Sequence, residues 1–219
     1  MRKLLLILLL LIIGLGVLTW VGWGRRSAIA AQFIQKHLNG TPVTLDSLEF
    51  NDKGAELTNL TIKNPRGFRS STAFTADSIA IDTTWQQLRA DPLTIDLITM
   101  DTLVVTIEEN KKGKVNWDEI LAGGSKQSSN GRHWLIKTLI LTNLTVRAIK
   151  PDGTIKTYPT LSRMEFHDLS DETGFPVSEI EKAIFNEVMK NLFKNLDLQK
   201  IIQPAVPGGK YLPSFPKLF

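Results

Sequence analysis

A six-residue pattern recurs seven times between residues 45 and 166: an apolar residue, two polar or turn-forming residues, an apolar residue, any residue, an apolar residue. It reads L-D-S-L-E-F from Leu45, L-T-N-L-T-I from Leu57, A-D-S-I-A-I from Ala76, M-D-T-L-V-V from Met100, I-K-T-L-I-L from Ile136, L-T-N-L-T-V from Leu141 and L-S-R-M-E-F from Leu161. Side chains alternate across a strand with period two, so the last apolar pair of each copy shares one sheet face. The step of three before it reverses the face unless the chain bends there. Asp-Ser and Thr-Asn pairs suit such a bend, because short polar side chains satisfy the local backbone. The pattern predicts a mainly β domain, a curved antiparallel meander with one apolar face, each strand kinked near its start. Parity assigns Leu60, Ile62, Ile79, Ile81, Leu103, Val105, Leu144 and Val146 to that face.

Turn signals separate the strands at Asp52-Lys53-Gly54, Asn64-Pro65-Arg66-Gly67, Ala90-Asp91-Pro92, Lys111-Lys112-Gly113 and Pro151-Asp152-Gly153. Residues 123–131, GGSKQSSNG, read as a mobile loop between two parts of one sheet. Helical spacing frames the sheet. Ile29, Phe33, Ile34 and Leu38 share one helical face, which ends at Asn39-Gly40. At the other end, Ser178 and Glu181 form a capping box ahead of the apolar stripe Ile180, Ile184, Phe185, Val188, Met189, Leu192, Phe193 and Leu196. That amphipathic helix is expected over 177–196, and a proline-rich extended tail over 203–219.

Residues 4–23 carry no charge, and twenty helical residues at ~1.5 Å each span the ~30 Å hydrocarbon core of a bilayer. Leu4 and Leu11 lie within this run, Trp20 and Trp23 stand at its far end, and Arg25 and Arg26 close it. A cleaved signal peptide is the competing reading, with Ala28-Ile29-Ala30 as the cleavage site. The length of the run and the two intervening arginines favour an uncleaved anchor over residues 1–26, followed by one domain over 27–202. The short N-terminal tail favours a domain on the outer side.

The formal charge of +4 owes much to Arg2, Lys3, Arg25 and Arg26, so a nucleic-acid partner is not expected. The chain has no cysteine, which removes disulfides and thiolate chemistry. His37, His133 and His167 stand apart without metal-ligand spacing, and no nucleotide-binding or nucleophile-elbow motif occurs. No catalytic residue, metal or cofactor is expected, and the adjacent carboxylates Glu108-Glu109 and Asp118-Glu119 read as solvated charge. Asn39, Asn59 and Asn143 are formal glycosylation acceptors, and the last two fall inside the strand repeat. Asn116-Trp117 reads as a structural turn, with Asp118 capping a short helix through Leu121.

From residue 32 to residue 121 these features keep a fixed order: a helix ending in Gly before a Pro-Val strand, then L-T-N-L-T-I-K-N-P-R-G-F, then A-D-S-I, then G-K-V-N-W-D. With the anchor, this order resembles the N-terminal module of the AsmA-like family, envelope proteins that include TamB-like members. The resemblance covers under two thirds of the chain. It implies a chorein-like groove that takes phospholipid acyl chains, a bacterial inner-membrane anchor and a domain facing the periplasm. It also implies a part in lipid transport or envelope assembly, with membrane lipids and an envelope protein as partners. About eight strands at ~4.8 Å make a sheet of ~40 Å, too short for a monomer to bridge an envelope. The other reading is a membrane-tethered structural or adaptor module without lipid cargo.

Overall fold

The computed structural model describes residues 25–122 and 133–170, together with Glu179, Lys182, Ala183 and Asn186, which are helical. Leu4, Leu11, Trp20 and Trp23, the loop 123–131 and the tail 203–219 lie outside the described residues, as does most of the expected helix 177–196. Ala183 is half-buried and packs against the core. No helix among the described residues is long and apolar enough to cross a membrane.

Helix α1 (Arg26–His37) buries Ala30, Ala31 and Ile34 and hands over to Leu38, which is wholly buried. It stops where expected, because Asn39 and Gly40 both adopt positive φ. Strands β1 (Val43–Thr44) and β2 (Ser47–Asn51) pair in succession along β3 (Gly54–Lys63). Then follow β4 (Thr72–Asp82), the short helix α2 (Trp85–Arg89), the long strand β5 (Leu93–Glu108) and helix α3 (Asn116–Ile120). Finally β6 (Trp134–Ile149) is flanked on one side by β7 (Ile155–Thr157) and β8 (Leu161–Ser170). Among the described residues the sheet has eight strands, and β1 and β7 close its strand order.

The sheet is mixed, which corrects the expectation of an antiparallel meander. Strands β5 and β6 run parallel, Leu93 facing Trp134 and Glu108 facing Ile149. Parallel neighbours need a crossover rather than a hairpin, and the chain between Glu108 and Trp134, which includes α3, is that crossover.

Six of the seven pattern copies form one transverse row. Ser47 pairs with Thr58, Thr58 with Ser78, Ser78 with Asp101, Asp101 with Thr142, and Thr142 with Arg163. The seventh copy, at Ile136, belongs to a second row, Gly54–Asp82–Leu97–Thr138–His167. As far as residue 103 on β5 and residue 144 on β6, the buried positions fall at 93, 95, 98, 100 and 103 and at 134, 136, 139, 141 and 144. Steps of two and three alternate, so a corner follows every fifth residue and one face stays inward.

Three of the seven copies turn their corner through a left-handed residue, and the kink falls in the middle of the strand rather than near its start as expected. Asn59, Thr102 and Asn143, each the second polar residue of its copy, lie at φ 53°, 52° and 53°. Asp168, in the related stretch F-H-D-L on β8, lies at 52°. Polar partners meet across the kinks. The Nδ2 of Asn59 donates to Asp46 at 2.8 Å, that of Asn143 donates to Asp101 at 3.0 Å, and Thr142 Oγ1 also donates to Asp101. At Gly54 (φ 148°) a Cβ would stand 2.0 Å from the Ile81 carbonyl oxygen, so only glycine permits the strands to approach there.

Candidate functional site

Leu60, Ile62, Ile79, Ile81, Leu103 and Leu144 are at most 3% exposed and belong to one core cluster with residues of α1 and α3. Val105 and Val146 face each other in register and are half-buried against that cluster. The structure therefore brings the eight parity residues together, six of them in the closed interior of the domain. Of the anchor residues, Arg25 is exposed and Arg26 half-buried at the start of α1.

The polar chemistry concentrates at one end of the sheet, where the N-P-R-G-F loop meets the start of α3. Asn116 is wholly buried. Its Nδ2 donates to Asn64 Oδ1 at 2.8 Å and to the Thr106 carbonyl at 2.9 Å, while its Oδ1 accepts the Glu108 N–H at 2.9 Å. Trp117 Nε1 donates to the same Thr106 carbonyl at 2.9 Å. Asn64 Nδ2 in turn donates to the Ser70 carbonyl at 3.0 Å. Glu108, 1% exposed, accepts the Arg69 N–H at 2.5 Å on Oε1 and the Ser70 N–H at 2.9 Å on Oε2. A buried carboxylate is tolerated because backbone donors replace its water.

Two sequence expectations are corrected here. Glu108 is not solvated: neighbours on a strand point to opposite sides, and of the Glu108-Glu109 pair the first turns in while the second stays out. Asp118 does not cap α3. Val115 occupies the N-cap position without a side-chain bond, and Asp118 sits within the first turn, where a negative charge suits the helix dipole.

Around this knot lies a cleft of about 430 Å³ formed by the loop at Arg66 and Arg69, the turn carrying Lys111, Lys112 and Lys114, and Pro151. Arg69 packs over Gly153, where a Cβ would stand 1.8 Å from its Nη1, and Nη2 donates to the Pro151 carbonyl at 3.3 Å. Lys114 pairs with Glu119 at 3.0 Å. Arg66, Lys111 and Lys112 make no ion pair among the described residues, which leaves the rim cationic, with Glu109 as the nearby unpaired carboxylate. In the turn beside Arg69, Asp152 is held below the usual aspartate range, first by the Thr154 backbone N–H. Among the described residues no group of three or more histidine, aspartate or glutamate side chains is placed to hold a metal ion.

The cationic rim and the Asn64–Asn116 contact were not found from sequence. Their signal was present in N-P-R-G-F and G-K-V-N-W-D, whose order was visible but whose meeting 52 residues apart was not. No protein-family model, curated protein or solved structure matches the chain.

Proposed function

We propose that this chain is a bacterial inner-membrane protein with a single anchor over residues 1–26 and a periplasmic AsmA-like domain, acting in envelope assembly as a tethered structural or adaptor module. The observation that carries this reading is the closed apolar face: six of the eight expected groove residues are at most 3% exposed. A face filled by the chain's own side chains has no room for an acyl chain without rearrangement. The two marks of the resemblance, N-P-R-G-F and N-W-D, support the same view, since the Asn116–Asn64 hydrogen bond joins them into one fastening of the fold.

The second reading, binding of phospholipid acyl chains with a part in lipid transport, is favoured by Val105 and Val146, which lie side by side and half-buried. An acyl chain would enter there and displace whatever covers the curved sheet.

Native mass spectrometry of the full-length chain, extracted in mild detergent, tests between them. A folded protein free of phospholipid supports the adaptor. A stoichiometric phospholipid, lost in Val105→Asp while the fold persists, overturns it in favour of lipid binding. Ile81→Asp places an unpaired charge in the interior and is expected to prevent folding if the face is dry.

A further inference from the structure

Among the described residues, the exposed large hydrophobic side chains are Trp85 and Ile155. Trp85, 47% exposed, opens α2 and is held out by a capping box. Gln87 N–H donates to Thr84 Oγ1 at 3.2 Å, and Thr84 N–H to Gln87 Oε1 at 2.8 Å. A fastened turn thus presents an indole to the outside, which a stray surface residue does not require.

Trp85 also has company. The Phe50 ring lies 6.3 Å from it, centroid to centroid, and the Arg26 guanidinium stands over the Phe50 ring, 5.6 Å from its centroid. Arg25, next to Arg26 in sequence, and Arg89, the last residue of α2, are exposed. Asp91, close by in sequence, accepts the His133 N–H at 3.2 Å. Arg26 is three residues beyond Trp23, where the uncharged run ends. Three residues reach at most ~11 Å when extended, so the Cα of Arg26 lies no farther than that from the end of the run, beside the interfacial layer of the membrane, and the Phe50 and Trp85 rings follow it. Amphipathic indoles and arginines are the side chains favoured at that depth.

We propose that this end of the domain rests on the bilayer, with Trp85 among the headgroups and Arg25, Arg26 and Arg89 against the phosphates of anionic phospholipid. The proposal rests on the reading of residues 4–23 as an anchor. It adds an orientation: the anchor-proximal end is seated on the membrane, and the cationic cleft at the opposite end of the strands points away from it.

The test uses the full-length chain in nanodiscs of phosphatidylcholine with phosphatidylglycerol, some of the lipid brominated near the headgroup. The emission lost on Trp85→Phe isolates the contribution of Trp85 among five tryptophans. The expected result is a blue-shifted Trp85 component that brominated lipid quenches severalfold, and quenching that falls in Arg26→Gln/Arg89→Gln and in discs of phosphatidylcholine alone. A Trp85 component at the fully solvated wavelength, or one that is blue-shifted but unquenched because a protein surface covers it, overturns the proposal. Alkaline carbonate washing separates the two failures. A chain that stays with the membrane with Trp85 unquenched refutes the seating alone, whereas a chain washed free refutes the anchor, and the seating falls with it.

Discussion

The two ends of the sheet are built by opposite means. The end carrying Asn64, Glu108 and Asn116 is closed by hydrogen bonds between buried groups, each donor and acceptor answered by another part of the chain. The end carrying Phe50, Trp85 and Arg26 joins the capping box of α2 to ring and cation contacts at the surface, with the indole of Trp85 half out of the domain. The first arrangement is expensive to disturb and rigid; the second costs the domain little to lose and leaves surface to spare. Buried polar bonding is concentrated at the first end and an exposed indole at the second, while cationic side chains line both.

Substitutions at each end break or sharpen this contrast. Asn116→Ala orphans the Asn64 carboxamide oxygen and the Glu108 N–H together, and is expected to lower the unfolding free energy by about 2–4 kcal/mol. Denaturant titration of the full-length chain in detergent, followed by circular dichroism, measures it. Glu108→Gln keeps the shape but removes the charge that accepts two backbone donors, with an expected loss of about 2 kcal/mol in the same titration. Between the ends, Thr102 is a β-branched residue at φ 52°, where Asn59 and Asn143 occupy the equivalent corners. Thr102→Asn is expected to raise stability by about 0.5–1 kcal/mol, and an unchanged midpoint would mean that the corner is not strained.

Acid samples both ends at once. Asp96 near α2 is held below the usual aspartate range, first by the Gln87 side-chain hydrogen bond and then by that of Lys137. Asp152 by the cleft is lowered by Thr154. A depressed folded pKa contributes stability that is present above the unfolded value and lost as pH falls through the folded one. The thermal midpoint is therefore expected to hold down to the ordinary aspartate range, near pH ~3.9, and to fall below it. Asp96→Asn should flatten part of that fall. The smallest effect is expected at Trp85→Ala, within about 0.5 kcal/mol, because an exposed ring contributes little to the fold.

The corners were legible in advance because steps of two and three in the apolar residues need a turn of the backbone to keep one face inward. Asn59 and Asn143 were the residues equipped to make it. Strand direction was not legible. The same polar pair reads alike whichever way the strand runs, so nothing within L-T-I-D-L-I or L-I-K-T-L-I says that β5 and β6 are parallel. Direction was set by the connection through α3, whose sequence carries no signal of where it returns. The knot was legible only as a set of marks: Asn116 was read as part of a turn, and its bonds to Asn64 depend on two loops meeting after the sheet has formed.

The row from Ser47 to Arg163 has one further consequence. The six strands of that row, β2, β3, β4, β5, β6 and β8, each bring a copy of the pattern and align it with the neighbour's, so the crease is written strand by strand rather than imposed by the domain as a whole. Such a sheet can be lengthened or shortened by whole strands without changing its cross-section, like a gutter cut to any length from one folded profile.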